Sequence, residues 1–589
     1  MHTHKKTLLC SILFAALAFN TACTHQPTSD STPLSATAQA AMHYDQQLNV
    51  FHPVVAQHGM TASEHHLASQ VGLNILQQGG NAVDAAVAMG FALAVVLPNA
   101  GNLGGGGFML LHDSSTQTNH ALDFRETAPA VAHRDLYLDA AGNVIDGDSI
   151  YSHRAIGVPG TVAGLEYALR QWGSMDLSDV IQPAIELAEQ GFTVSPTLAR
   201  MLAVQHQQLG QWPATKAIFF KDNKPLHAGD RLIQHDLGKS LRLIAKHGSA
   251  AFYQGEIAEL IVAEMKKHNG LISLQDMANY QAIEREPVVG DYRGYQIVSM
   301  PPPSSGGIHL LQMLNILESF PLADYGPSSA ETIRLLAESA KLAYADRAEF
   351  LGDPEFVKIP QQGLISKGYA QQLAQTIQPK RIRSAESIKH GNPQDHESDQ
   401  TTHYSVVDGQ GNMVGVTYTL NLHFGSGIVA EGTGILLNNE MNDFSIKPGV
   451  ANVFGLIGGE ANAIAPGKRP LSSMMPTLVL KEGRPWMVTG SPGGARIITT
   501  VLQTLVNAID FGMNPHENAA APRMHHQWQP DVLRIEKGFS PDTLRLLERL
   551  GYDIKLRASM GKIQTIQVDE AGLSGYSDPR NPDGATLGY

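Results

Sequence analysis

The constraint that does most to limit how this chain folds begins at residue 400. Residues 380–400 (KRIRSAESIKHGNPQDHESDQ) carry almost nothing apolar and read as a mobile surface segment. Strand-like runs follow at once, Thr402 to Val407 and Met413 to Leu420, joined by Asp408-Gly409-Gln410-Gly411-Asn412. That spacing predicts a hairpin. A symmetric register sets Asp408 opposite Asn412 and therefore Thr401 opposite Thr419. Cross-strand neighbours are close enough for two hydroxyls to hydrogen-bond. A Thr at the junction of a mobile segment and a strand, with a second Thr against it, is a candidate nucleophile with its orienter. Taken alone, the pair is also what the strand preference of Thr produces unaided.

The rest of the body reads as alternating helices, strands and glycine-rich loops. A first helix is expected over Ala62 to Gln78, stopping at Gly79-Gly80, and a second over Ala82 to Leu97, capped by Asn81 and ended by Pro98. The second is apolar nearly all round and short, which fits a buried core helix. Amphipathic stretches follow at Thr161 to Trp172 and Glu331 to Ala345. Gly104 to Gly107 precede a strand, Phe108 to His112, without a phosphate-binding fingerprint, so close backbone packing is expected there. Pro301 to Gly307 (PPPSSGG) form another turn-rich loop before a helix.

The amino terminus looks like an export signal. Lys5 and Lys6 precede an apolar run, Leu8 to Ala18, too short to span a bilayer as a helix. Asn20-Thr21-Ala22-Cys23 resembles a bacterial lipoprotein cleavage box, with Asn20 where Leu is usual; plain secretion with cleavage nearby is the alternative. Residues 1–22 are expected to be a signal peptide and 23–48 a tether, with Cys23 its point of lipidation if the box is used. Cys10 and Cys23 are the only cysteines. Cleavage before Cys23 leaves no disulfide, Cys nucleophile or Cys-based metal site in the body. Lys and Arg total 42 against 55 Asp and Glu, a net charge of −13. With no basic run, nucleic acid is excluded as a partner, and so is an anionic membrane surface as the main one.

Seven motifs in one order then carry a family resemblance. Gln400 to Asp408 (QTTHYSVVD) resembles the maturation site of gamma-glutamyltransferases (gamma-glutamyl transpeptidases). Thr417 to Asn421 (TYTLN), Leu436 to Phe444 (LLNNEMNDF), Lys468 to Met474 (KRPLSSM) and Gly490 to Gly494 (GSPGG) match downstream. Asn102 to Phe108 and Phe124 to Pro129 (FRETAP) match upstream. The resemblance covers nearly the whole chain after the tether.

It implies an N-terminal-nucleophile hydrolase fold, a four-layer αββα sandwich of the α/β (α+β) class. It also implies self-cleavage between Gln400 and Thr401, giving a large subunit, 49–400, and a small catalytic subunit, 401–589, that together build one body. The freed Thr401 α-amine has an ordinary pKa near 8, so much of it can be neutral and act as the local base. The implied activity takes the γ-glutamyl group of glutathione and related compounds onto Thr401 and passes it to water, an amino acid or a peptide. Arg125 resembles the family's carboxylate-binding Arg, helped by Ser472 and Ser473. Asn421, Glu440 and Asp443 resemble its ammonium-binding group, and the N–H groups of Gly493 and Gly494 its oxyanion hole. Singly, each has a duller reading as an ion pair, turn or cap.

Two departures stand out. Phe454 occupies the lid position where many bacterial relatives carry Tyr, so a hydrogen bond expected to Asn421 is lost. Glu440 stands where some relatives have Gln. No metal or organic cofactor is expected; the adjacent His525 and His526 point apart and lack a third ligand. Two readings compete with the transferase. A glutaryl-type β-lactam acylase takes a substrate without the α-ammonium, which leaves Asp443 without purpose. A non-catalytic lipoprotein scaffold has no need of Thr401, Thr419 or Gly493-Gly494.

Overall fold

The hairpin expected after residue 400 forms the middle of one of two seven-stranded antiparallel sheets. The structure, a computed structural model, describes residues 49–388, 401–447, 450, 456 and 458–589. The signal peptide, the tether, Gln400, Phe454 and the part of the hydrophilic segment after residue 388 lie outside the described residues. In chain order the strands are β1 Val54–Ala56, β2 Met60–Ser63, β3 Gly106–Asp113, β4 Thr118–Phe124, β5 Ile283–Arg285, β6 Val288–Tyr292 and β7 Tyr295–Ser299. Beyond residue 400 come β8 Thr402–Val407, β9 Met413–Thr419, β10 Thr477–Lys481, β11 Arg484–Thr489, β12 Gln564–Asp569, β13 Gly572–Ser577 and β14 Ala585–Gly588. The first sheet runs β14-β2-β8-β9-β3-β4-β5 and the second β1-β13-β12-β11-β10-β7-β6. Both sheets therefore mix strands from the two sides of residue 400.

Period-two alternation sorts the hairpin's side chains into two layers. Tyr404, Val406, Val414, Val416 and Tyr418 join the hydrophobic core under helices α1 His66–Gln77, α2 Ala82–Val96 and α3 Thr161–Trp172. His403, Ser405, Gly415 and Thr417 face the second sheet: the Ser405 hydroxyl donates to Gln564 O at 2.9 Å. The far face of the second sheet packs on α4 Gly306–Leu317, against which α5 Ala330–Phe350 and α6 Arg496–Ile509 pack in turn, all within one hydrophobic core. Helices, sheet, sheet and helices make the four-layer αββα sandwich that the resemblance implies.

Helix α2 is buried along its whole length, as its apolar sequence requires. Asn81 and Asp84 close a capping box at its start. Its first N–H, that of Ala82, also holds the hairpin in place. The Asp408 carboxylate accepts from Ala82 N at 2.9 Å while closing its own turn with Gln410 N at 2.9 Å and Asn412 N at 3.0 Å. A carboxylate at a helix N-terminus is stabilised by the unpaired amides and the helix dipole. The turn end of the hairpin is thus pinned, and the open end carries Thr401 and Thr419.

Two expectations need correction. The first helix begins at His66 rather than Ala62, because Met60–Ser63 forms β2 between β14 and β8. Nor is the start of the hydrophilic segment loose. Lys341 Nζ donates to Arg383 O at 2.7 Å, Trp528 Nε1 to Ala385 O at 3.0 Å, and Ala385 and Ile388 are buried. Buried donors from α5 and the Trp528 loop satisfy its backbone, which its polar composition did not announce. Among the described residues no helix is long and apolar enough to cross a membrane.

Candidate active site

The hairpin register is the symmetric one, from Thr402 opposite Tyr418 to Val407 opposite Met413. One step beyond this ladder, Thr401 Oγ1 lies 3.4 Å from Thr419 Oγ1, and both residues are nearly buried. Thr419 Oγ1 also accepts from Asn421 N at 3.0 Å, which fixes its orientation. Thr401 holds a φ of +149°, a region that β-branched residues avoid. Such strain is worth about 1–3 kcal/mol and persists only where the surroundings impose it.

His403 is the nearest imidazole in sequence, but it is occupied. Its Nδ1 pairs with Thr417 Oγ1 at 2.8 Å and its Nε2 with Ser405 Oγ at 3.0 Å. Burial between the sheets pulls its pKa to about 3, so it is neutral. Among the described residues no imidazole hydrogen-bonds to Thr401. The glycine run serves packing, as expected: a Cβ on Gly105 would lie 2.0 Å from Thr419 O. Asn102 bridges the two, donating to Thr419 O at 2.9 Å and accepting from Gly105 N at 3.0 Å.

Gly493 and Gly494 sit at φ +137° and +54°, in the turn that leads from β11 into α6. Only Gly adopts both without strain. Neither N–H is hydrogen-bonded to a described residue. Gly494 and Ala495 lie on the pocket wall with Thr401; Gly493 stands one residue behind.

The other end of the pocket is charged. Arg125, Asn421, Glu440, Asp443, Ser472 and Ser473 line the same cavity as Thr401, Thr419 and Gly494. Arg125 is fully buried and pairs with Glu440 through Nη1 and with Asp443 through Nη2, the latter at 2.5 Å. Glu126, also buried, is 3.5 Å from Nη1. Burial works against charge on Arg125, but the three carboxylates overcome it and hold the guanidinium protonated. For the acids burial prevails over Arg125: Glu126 is pushed up to about 7, and Glu440 and Asp443 also rise. Among the described residues, Glu440 Oε2 and Asn421 Oδ1 are buried acceptors without a hydrogen-bond partner. An unfilled buried acceptor is costly unless something donates to it.

Sequence reasoning missed one charged group on this wall, Arg347. The amphipathic pattern of α5 fades at Ala345, but the helix continues to Phe350 and carries Arg347 into the pocket. Arg347, Asp443, Leu456 and Leu471 also border a neighbouring chamber of about 390 Å³, lined further by residues 144–147, 149–151 and 442–446. Away from this wall, His153 Nε2 and His268 Nε2 approach Glu264 Oε1 at 3.1 and 3.4 Å, so these three groups satisfy one another. His525 and His526 have separate partners, Thr499 with Gln527 and Asp531 respectively.

Comparison with known proteins places this pocket in context. The family description gamma-glutamyltranspeptidase matches residues 68–588. A glutathione hydrolase proenzyme of Escherichia coli is 54% identical over 99% of this chain and 100% of its own length. An acylase ACY 1 proenzyme of a Pseudomonas species is 39% identical over 85% of this chain and 88% of its own. The crystal structure of a cephalosporin acylase from Bacillus halodurans matches with a TM-score of 0.82 at 29% identity, covering 93% of this chain and 99% of that one.

Proposed function

The chain belongs to the gamma-glutamyltranspeptidase family, and from that premise we propose how its residues carry the reaction. It is a self-cleaving γ-glutamyl hydrolase and transferase that acts on glutathione and related γ-glutamyl compounds. In the precursor, Thr401 Oγ1 attacks the carbonyl carbon of Gln400. The Gln400–Thr401 C–N bond breaks, the departing nitrogen takes a proton, and Gln400 is left as an ester on Oγ1. Water opens the ester to a Gln400 carboxylate and a free Thr401 α-amine. The positive φ at Thr401 favours this step, since the torsion ceases to exist once the peptide bond is gone. The products, a large chain ending at Gln400 and a small chain of residues 401–589, stay joined because both sheets contain strands of each.

In turnover the neutral Thr401 α-amine takes the hydroxyl proton as Oγ1 attacks the γ-carbonyl of the donor. Thr419, oriented by Asn421 N, steadies Oγ1. The N–H groups of Gly493 and Gly494 receive the oxyanion. The leaving amine takes the proton, and the γ-glutamyl ester on Thr401 is resolved by water or by the amine of an amino acid or peptide. At the charged end, Glu440 Oε2 and Asn421 Oδ1 are the acceptors an α-ammonium would fill, beside Asp443. Arg125, Ser472 and Ser473 supply donors for the α-carboxylate.

The observation that carries this reading is the Thr401–Thr419 hydroxyl pair sharing one pocket with that charged group. Intact mass of the exported protein tests it: two chains are expected, the smaller beginning at Thr401. Thr401→Ala should remain one chain and lose turnover by at least roughly 10⁴-fold. A cleaved or active Thr401→Ala protein would sink the assignment and favour a scaffold role.

The acylase likeness favours a second reading, a glutaryl-amide acylase. The unfilled acceptors argue for a donor bearing an ammonium, so a γ-glutamyl anilide should be preferred over the glutaryl anilide; the reverse preference would select the acylase. For the amino terminus, residues 1–22 serve as an export signal to the periplasm and Cys23 as the lipid anchor. Labelled palmitate should be incorporated by the parent and not by Cys23→Ser.

A further inference from the structure

Away from the pocket, two imidazoles and a carboxylate converge. Among the described residues, His153, Glu264 and His268 form a group whose ligand atoms all lie within 4.8 Å of one another. The helix Glu256–Lys267 supplies two of them. Glu264 lies in its last turn and His268 caps its end, so the i, i+4 spacing sets both on one face. His153 comes from the short 3-10 turn His153–Ala155. Glu264 and His153 are buried, and His268 stands at the surface. Trp212 packs edge-on to both imidazoles, with ring centroids 4.9 and 5.7 Å away.

The contacts by which these groups satisfy one another have a second use. His153 Nε2 and His268 Nε2 stand 3.1 and 3.4 Å from Glu264 Oε1. A tetrahedral zinc ion with bonds of about 2.0–2.1 Å has ligand–ligand edges of about 3.3–3.4 Å. A His–Glu hydrogen bond and a zinc shell therefore hold the same atoms at nearly the same separation. The two rings stack at 19° with centroids 4.5 Å apart, so their lone pairs meet at one ion only after a ring turns. His268 has room for that turn, being at the surface and past the last helical residue. Two imidazoles and one carboxylate are a donor set that suits zinc, and the exposed side leaves the fourth position to water. The neighbouring cations are engaged elsewhere, Lys267 with Glu431 at 3.1 Å and Arg154 with Asp148 at 2.7 Å.

We propose that His153, Glu264 and His268 bind a zinc ion. None of the three lines the pocket that holds Thr401, and all precede residue 400. The site therefore stands independently of the γ-glutamyl reading and of self-cleavage. Its role is mechanical: the ion staples the His153 turn to the end of the helix Glu256–Lys267. That turn follows directly on Ser149 and Ile150, which hold the segment carrying Glu440 and Asp443. Asn442 Nδ2 donates to Ser149 Oγ at 2.8 Å, and Asn439 Nδ2 to Ile150 O at 3.0 Å.

The test is zinc binding by the untagged, exported protein after treatment with a chelator. Calorimetric titration with Zn²⁺ should show one site per molecule, with a Kd at or below about 1 µM. His268→Ala removes only a surface side chain and should weaken binding by at least roughly 30-fold, as should Glu264→Gln. Co²⁺ should give the visible absorption of a four-coordinate site in the parent and not in His268→Ala. Zn²⁺ should raise the Tm of the parent and leave that of His268→Ala where it was, because an ion stabilises the folded state only where it binds. A parent that takes up no stoichiometric zinc, or equal affinity in the parent and both variants, would overturn the proposal and leave the three side chains as a hydrogen-bonded cluster.

Discussion

The two ends of the pocket are built by different rules. The hydroxyl end comes from one hairpin, where Thr401 and Thr419 are brought to 3.4 Å by strand register alone. The charged end is gathered from residues 125–126, 347, 440–443 and 472–473, which meet only after both sheets and α5 are in place. The first is neutral and local; the second is a buried cluster in which three acids compete for Arg125. Chemistry is placed where the backbone is most strictly determined. Recognition is placed where many elements converge, and its strength depends on how those charges divide their partners.

If that contrast holds, the largest effect of a conservative change belongs to the hydroxyl end. Thr419→Val keeps the strand and removes one hydroxyl that both Thr401 Oγ1 and Asn421 N use. Single-turnover acylation should slow by about 100-fold, with KM within about threefold, and self-cleavage should lag on a mass time course. A KM effect larger than the rate effect would erase the distinction between the ends.

Asp443→Asn should do the opposite. It removes one of the three carboxylates on Arg125 and one acceptor for the ammonium. KM for the γ-glutamyl anilide should rise roughly 30-fold with kcat little changed, and the relative rate on the glutaryl anilide should increase. An unchanged preference between the two donors would mean that Asp443 is only structural.

The smallest effect is on stability. Burial, against Arg125, pushes the Glu126 carboxyl up from 4.5 to about 7. A carboxyl with a raised folded pKa binds its proton more tightly in the folded state. Its contribution is therefore fully present below about 4.5 and is lost as pH rises through about 7. The Tm of the parent should fall relative to that of Glu126→Gln across this window. Parallel Tm curves would show that Glu126 carries no uncompensated charge.

Legibility followed the same division. The hairpin, its register, the core helix α2 and the packing role of Gly104–Gly107 were readable from periodicity, turn chemistry and caps. The two sheets and the layer order came from the family resemblance rather than from any local pattern. Arg125, Glu440 and Asp443 were named by motif, yet their pairing with one another was not, since nothing in FRETAP or NNEMNDF says which distant charge each will face. Arg347 escaped altogether, because it sits past the apparent end of an amphipathic stretch and looks like any solvated helix cation. The anchored part of the hydrophilic segment escaped too, its backbone being satisfied by Lys341 and Trp528 from afar.

By itself, then, the sequence determined what depends on neighbours a few residues away: a turn of five residues fixes a register, a register fixes which side chains share a face, and that sets one threonine against another. Only the tertiary structure decided which acids face Arg125, because charge pairing in a buried pocket depends on distances between segments hundreds of residues apart. Those distances are set by how two sheets and their helices pack, and no local pattern encodes them.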